Sequence, residues 1–184
     1  QDRNGYLWFG TFGGGLNRFN KSNKIFTVLK NIPQIPTTIS KNDILSLMED
    51  RSGSLWVGTH LGKGLSNLER NTLKFHQISR DVLGVNGLND DVVWAIYEDD
   101  NSILWVGTYN GGLNKFDRKT GKFSYYKFDP ENPNSISDNH IRSIADDGNG
   151  NLWIGTYSGG LNKFNKSTGI FTRYSFLSND DTKQ

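Results

Sequence analysis

The chain has 184 residues, 21 of them basic and 19 acidic, so its formal net charge is +2. This balance, without any long basic run, gives no indication of binding to nucleic acid or to an anionic membrane surface. The chain has no cysteine, which excludes disulfides, cysteine-ligated zinc and a cysteine nucleophile. No apolar stretch approaches the roughly 20 residues that a membrane-spanning helix needs.

The composition indicates an all-β fold with many short strands. Only 34% of the residues are hydrophobic, but 12% are aromatic, and a few large rings bury as much area as many smaller side chains. The 21 glycines predict many tight turns. Short strands joined by glycine-rich turns are typical of sandwiches, barrels and propellers.

A five-residue motif, Leu-Trp-x-Gly-Thr, occurs four times along the chain. Its tryptophans are residues 8, 56, 105 and 153, which gives spacings of 48, 49 and 48 residues. A near-constant period of this length matches a four-stranded β-propeller blade better than a short solenoid turn. The sequence therefore predicts tandem propeller blades.

Each complete unit contains four predicted strands in the same order. Strand A is an apolar segment that ends in acidic residues, as at 141–147, and a tight turn connects it to strand B, which carries the tryptophan. A Gly-Gly turn leads to strand C, as at 159–164, and a last hairpin leads to strand D. Because strand A is apolar throughout, we expect both of its faces to be covered and strand D to form the outer edge.

The units amount to about 3.75 four-stranded antiparallel blades. The first unit lacks strand A, the next three are complete, and a polar tail follows. The predicted bounds are 5–29, 39–80, 88–128 and 136–176, with the tail at 177–184. Because a repeat buries its core only against its neighbours, we expect a fragment of a larger propeller, whose remaining blades would be partners of this chain.

Two positions of the motif have an architectural interpretation. Each tryptophan is expected between neighbouring sheets, and the glycine two residues later lets the adjacent sheet approach closely. The positions are Trp8, Trp56, Trp105 and Trp153, and Gly10, Gly58, Gly107 and Gly155. A stacking platform for sugars is the alternative for the tryptophans, but their presence in every unit favours architecture.

The combined pattern resembles the two-component regulator propeller repeat. It is clearest in the last unit, at 134–139, 141–147, 150–156 and 159–164. The resemblance implies a periplasmic sensor region of a hybrid histidine kinase of the Bacteroidetes type, commonly with seven-bladed propellers. It also implies an oligosaccharide signal, but it assigns no ligand residues.

Positions at which the copies disagree are the candidate ligand-binding residues, because a residue shared by all units serves the blade. They lie in strand A or on loops expected at one end of the propeller, and loops on a rigid scaffold often carry function. The candidates are His60, Trp94, Tyr109, Asn139, His140, Arg142 and Tyr157. Their rings would stack on sugars and their polar groups would supply hydrogen bonds or charge.

Repeat drift with satisfied polar side chains is the alternative interpretation of these residues. Asn139 in particular recurs as Asn42 and Asp91, which indicates a turn cap.

Three classes of function follow from the sequence. We favour a ligand sensor; the alternatives are a scaffold for protein–protein contact or homodimerisation, and a propeller glycosidase or lyase. There are only 3 histidines, and most acids occupy repeated turn positions that have a structural cause. No metal, phosphate-loop or catalytic-triad motif is present, so we expect no cofactor, no metal and no catalysis by this segment.

Overall fold

The computed structural model describes residues 1–81 and 86–174. Within these ranges the chain forms fifteen β-strands, arranged in one three-stranded and three four-stranded antiparallel sheets. The prediction of an all-β propeller with about 3.75 blades is confirmed. None of the described residues forms a helix long and apolar enough to cross a membrane. The predicted tail and the last two residues of the fourth unit lie outside the described residues.

The strands follow chain order across each sheet. Blade 1 contains β1 (Leu7–Thr11), β2 (Gly15–Asn20) and β3 (Ile25–Leu29). Blade 2 contains β4 (Ile44–Glu49), β5 (Leu55–Thr59), β6 (Leu65–Glu69) and β7 (Lys74–Ile78). Blade 3 contains β8 (Val93–Glu98), β9 (Ile103–Thr108), β10 (Leu113–Asp117) and β11 (Lys122–Tyr126). Blade 4 contains β12 (Ile141–Asp146), β13 (Asn151–Thr156), β14 (Leu161–Asn165) and β15 (Phe171–Tyr174).

The blades are stacked side by side through their innermost strands. Strand β4 contacts β8, and β8 contacts β12, so the three A strands stand next to one another. Blade 1 has no strand A, and its strand B, β1, contacts β4 instead. The D strands lie at the opposite edge of each sheet. The four sheets therefore radiate from a common inner edge.

Each joint between successive blades has its own apolar core. Trp8 and Leu16 of blade 1 pack with Ile44 and Val57 of blade 2. The second and third joints repeat this arrangement around the buried Trp56 and Trp105, which pack against the first residues of the next strand A. Burial of large rings against the next sheet is the main apolar contribution to blade stacking.

The glycine of the repeated motif receives the next blade. A Cβ placed on Gly107 would lie 2.4 Å from Cγ2 of Ile141, the first residue of β12. Gly10 and Gly58 would meet Ile44 and Val93 at 2.5 and 2.7 Å. Each joint therefore places a β-branched side chain directly over a bare strand.

The tight turn between strands A and B is fastened to the tryptophan by an aspartate. Asp50 Oδ2 accepts a hydrogen bond of 2.8 Å from the Trp56 indole, six residues later. Asp99 and Asp2 make the same bond to Trp105 and Trp8. Blade 4 departs from this pattern, because Asp147 Oδ2 accepts from the Asn151 amide.

Cations of the turn between strands C and D bind these acids across the joint. Arg118 of blade 3 forms ion pairs with Glu98 of its own blade and Asp50 of blade 2. In blade 2, Arg70 lies 2.9 Å from Asp2 and 3.0 Å from Glu49. By the strand connectivity, these ion pairs lie at the end of the propeller that carries the A–B and C–D turns.

Candidate functional site

The predicted site residues lie at the other end of the propeller, where the B–C turns meet the beginnings of the A strands. Hydrogen bonds between backbones hold the two segments together in each complete blade: Tyr109 N donates to Val92 O at 3.0 Å, and Tyr157 N donates to His140 O at 2.9 Å. The residue that follows strand B is therefore fixed beside the residue that precedes strand A.

The turn itself is closed by the threonine of the repeated motif. Thr108 Oγ1 donates to Gly112 O at 3.1 Å, and Thr156 makes the same bond to Gly160 at 2.8 Å. Gly112 has a φ of 73°, a value that disfavours residues with a side chain. The Gly-Thr and Gly-Gly pairs thus build a rigid support for the aromatic residue between them.

Two of the candidates, Trp94 and Arg142, occupy a β-bulge. The pairing of β8 with β9 shifts between Val93 and Ala95, so Trp94 is the extra residue. Arg142 is the extra residue of β12, and Leu45 that of β4. Bulges redirect side chains and are frequent beside functional sites. The three A strands therefore present three different side chains at one equivalent place.

Five of the seven candidates form a continuous group, which we call the aromatic–arginine cluster: Trp94, Tyr109, His140, Arg142 and Tyr157. The Arg142 guanidinium carbon lies 4.0 Å from the Trp94 ring centroid and 4.9 Å from that of Tyr157. The His140 ring meets the edge of Tyr109 with centroids 4.2 Å apart, and its centroid is 6.0 Å from Tyr157. All are distances at which ring–ring or cation–π attraction operates.

The cluster offers both an accessible surface and unused polar groups. Tyr157 is 69% and Tyr109 47% exposed, whereas Trp94 and Arg142 are half-buried. The indole Nε1 of Trp94 is buried and has no hydrogen-bond partner among the described residues. Exposed rings beside the half-buried Arg142 side chain can bind a ligand that has both apolar and polar faces.

Asp138, which sequence reasoning did not select, orients the histidine of the cluster. Its carboxylate lies 3.3 Å from His140 Nδ1 and accepts hydrogen bonds from the backbone N–H groups of His140 and Ser158. Burial raises the pKa of Asp138, but these hydrogen bonds outweigh burial and leave the pKa below its ordinary value. An ionised carboxylate only accepts hydrogen bonds, so the Nδ1 nitrogen of His140 that faces Asp138 is the donor of this contact.

Two candidates lie outside the cluster's ring contacts. His60 packs against Phe12 of blade 1, with ring centroids 5.8 Å apart. The Asn139 carboxamide oxygen accepts a hydrogen bond of 2.8 Å from Phe128 N, and Asn42 makes the equivalent bond to Asn31 N. The side-chain oxygen of Asn139 thus serves the connection between blades 3 and 4.

Phe12 and Leu61 were also missed by sequence reasoning, and both side chains are exposed at this end of the propeller. Leu61 adopts a left-handed backbone conformation with a φ of 48°, which is unfavourable for a residue with a side chain. Phe12 was visible as the counterpart of His60 in the aligned copies, and Leu61 belongs to the one turn with an inserted residue.

A groove of about 650 Å³ lies at the opposite end, lined by the ends of β4 and β8, by residues 1–3 and by the A–B turn of blade 2. Its acids are already paired: Glu49 with Arg3 and Arg70, and Glu98 with Arg118. No group of three or more histidine, cysteine or acidic residues able to hold a metal occurs among the described residues. The acidic groups of this groove are therefore already paired with arginines of the protein, and we regard the aromatic–arginine cluster as the better candidate for a ligand site.

Comparisons with known proteins agree with this architecture. Among curated proteins, 92 residues of the chain are 38% identical to Histidine kinase P4 of Formosa agariphila, covering 48% of this chain and 7% of that protein. Among solved structures, the extracellular domain of a protein described as a hybrid two-component system of Bacteroides thetaiotaomicron superposes with a TM-score of 0.76 at 29% identity, covering 94% of this chain and 22% of that one. The chain thus spans less than a quarter of either relative.

Virginiamycin B lyase of Staphylococcus aureus is similar in fold alone, with a TM-score of 0.70 at 14% identity over 97% of this chain and 55% of the lyase. The model of the two-component regulator propeller matches residues 38–60, 87–110 and 135–158. Each matched segment contains strand A, the A–B turn, strand B and the first one or two residues of the B–C turn in one complete blade. Blades 2 to 4 are therefore two-component regulator propeller repeats, the family to which this chain belongs.

Proposed function

We propose that this chain is part of the extracytoplasmic, periplasmic sensor of a two-component signalling receptor and that it contacts an oligosaccharide. The observation that carries the proposal is the aromatic–arginine cluster, in which side chains that differ between the repeats converge at one end of the scaffold. Exposed tyrosine rings are suited to the apolar faces of sugars, and the N–H groups of Arg142 are suited to their oxygens. The curated and structural relatives support the signalling context.

The test compares two tyrosines of blade 4, one inside the aromatic–arginine cluster and one outside it. Tyr157 lies in the cluster, whereas Tyr174 lies on the outer strand β15 against Trp153. A glycan array would first identify a bound oligosaccharide. Tyr157→Ala should then weaken its binding roughly two- to tenfold, as expected for loss of one aromatic contact, while Tyr174→Ala should leave the affinity unchanged. Equal losses in the two variants, or no bound glycan, would contradict the proposal.

A protein–protein scaffold is a second candidate, and one observation favours it. Phe12, Leu61 and Tyr157 are all exposed at the same end of the propeller, and exposed apolar groups of this kind often mark contacts with another protein. A homodimer of the full-length receptor would be one such contact. Sedimentation of the chain with and without Phe12→Ser and Leu61→Ser distinguishes this function: a mass that falls in the double variant favours the scaffold.

The remaining blades of a larger propeller are further proposed partners. Among the residues that the structure describes, a Cβ on Gly155 would meet only the Ser143 side chain, whereas each of the other three motif glycines meets a β-branched residue of the next blade. A following strand A that begins with isoleucine or valine would fill this position. The catalytic alternative gains no support from the lyase, because the likeness extends to the fold alone.

A further inference from the structure

Arg142 differs from most arginines of this protein in having no polar partner. Five others donate hydrogen bonds to carboxylates or backbone carbonyls, and they are Arg3, Arg51, Arg70, Arg118 and Arg173. The Arg142 guanidinium forms no hydrogen bond or ion pair with any residue in the described ranges, and its recorded contacts are the rings of Trp94 and Tyr157.

These contacts are also unlike the cation–π pairs that belong to the blade itself. In blades 1, 3 and 4 a cation of strand C lies over the motif tryptophan of the same sheet: Arg18 at 5.8 Å, Lys115 at 5.6 Å and Lys163 at 5.7 Å. Arg142 instead lies over rings from two different blades, at 4.0 Å from the Trp94 centroid and 4.9 Å from that of Tyr157. These ring contacts therefore differ from those that the strand C cations make within their own sheets.

Contact with aromatic rings leaves the donors of a guanidinium usable. The guanidinium carbon of Arg142 lies within cation–π distance of the Trp94 and Tyr157 rings. The five N–H donors of a guanidinium lie in its own plane, so the group can contact a ring through its face and donate hydrogen bonds from its edge. A planar fork of this kind matches the two oxygens of a carboxylate, or of a sulfate, through paired hydrogen bonds.

Two acids of the loops at this end of the propeller, Asp138 and Asp90, bind groups other than Arg142. Asp138 accepts hydrogen bonds from Ser158 N, Ser158 Oγ and His140 N. Asp90, its counterpart in blade 3, accepts from Val92 N and Asn110 N. The buried and unpartnered indole N–H of Trp94 adds a further donor to the same cluster. An unused cation beside an unused donor indicates an acceptor that the described residues do not supply.

We infer that Arg142 binds an anionic group of the ligand, so that the site takes an acidic oligosaccharide bearing carboxylate or sulfate groups. This inference rests on the proposed function and names the substrate class of the same site. Hydrogen bonds between a guanidinium and an anion are roughly twice as strong as those between neutral groups. A neutral sugar would leave the charge of Arg142 without a counter-ion.

The experiment uses matched ligands on the 184-residue chain. Isothermal titration would compare a uronic-acid oligosaccharide, the same oligosaccharide with its carboxyl groups reduced to alcohols, and a sulfated oligosaccharide. We expect one of the two acidic ligands to bind at least about tenfold more tightly than the neutral one. Which of them does so distinguishes carboxylate from sulfate recognition, and the preference should weaken with added salt.

Three variants locate the preference. Arg142→Met should remove it, Arg142→Lys should restore only part of it because the paired geometry is lost, and Lys163→Met, which removes a cation of the repeated architecture, should preserve it. Thermal unfolding of each variant checks that the fold is kept. A preference that survives in Arg142→Met, or that is lost equally in Lys163→Met, overturns the inference. Equal binding of acidic and neutral sugars overturns it but leaves the proposed function intact, whereas absence of any sugar binding overturns both.

Discussion

The contact between Gly107 and Ile141 allows a direct test of how the blades stack. In Gly107→Ala the new Cβ would lie 2.4 Å from Cγ2 and 2.9 Å from Cβ of Ile141. Ordinary contacts begin near 3.4 Å, so Ile141 must move by about 1 Å. Both atoms belong to a β-branched side chain that is fully buried, and overpacking of such a site costs about 1–3 kcal/mol. We expect a loss of stability in this range.

Gly155→Ala is the matched control, because it changes the same position of the motif in blade 4. There the new Cβ would meet the hydroxyl of Ser143 at 2.5 Å, and this exposed side chain can rotate away. The effect of alanine on the unfolded chain is the same at both sites, so the difference between the two variants measures packing alone.

Urea unfolding followed by tryptophan fluorescence is the assay for this pair. A further cycle with Ile141→Ala should remove part of the cost of Gly107→Ala, since the Cγ2 methyl at 2.4 Å is lost while the Cβ at 2.9 Å stays. Equal midpoints for Gly107→Ala and Gly155→Ala, or additive effects of Gly107→Ala and Ile141→Ala, would refute the stacking of Ile141 over Gly107.

Two further predictions concern the ion pairs at the opposite end of the propeller. Arg118→Met should destabilise the chain by about 3–5 kcal/mol, because Asp50 and Glu98, whose side chains are 0% and 3% exposed, would lose their counter-ion. Asp100→Ala removes one partner of an exposed ion pair and should cost less than about 1 kcal/mol. Urea unfolding of the two variants measures the difference in stability. Burial raises the pKa of Asp50, but hydrogen bonds from Ser52, Trp56 and Ser54 and the charge of Arg118 hold it below its ordinary value of 3.8. Its stabilising contribution should therefore be complete above pH 3.8 and disappear as the pH falls from there through the native pKa. Melting temperatures measured between neutral and strongly acidic pH should fall less steeply in Asp50→Asn, and an unchanged slope would contradict this assignment.

The repeated features of the fold could be predicted from the sequence because each has a local cause. The Leu-Trp-x-Gly-Thr motif predicts a strand with one large and one absent side chain, and its period predicts the blade. The long-range partners of polar side chains were not predictable in the same way. Arg118 and Asp50 are 68 residues apart, and no pattern within a single unit shows that a C–D turn contacts the A–B turn of the preceding blade.

The candidate site shows the same division. Comparing the copies selected Trp94, Arg142 and His140 as departures, and the structure places them in one cluster. The β-bulge at Trp94 and Arg142 could not be seen in the sequence. All three complete units carry the bulge, so an alignment of these units shows no inserted residue at that position. Asp138 was overlooked because Asp90 occupies the same position, so comparison of the copies gave it no distinction.

The bulge at the start of each innermost strand also affects how proteins of this kind can evolve. The extra residue has no partner in the ladder, so exchanging it leaves the pairing of the sheet unchanged. This chain carries an aliphatic group, an indole and a guanidinium at that position in three successive blades. A gene made of tandem copies can therefore change the side chains at this end of the propeller by single substitutions, while selection for folding acts on the rest of each copy.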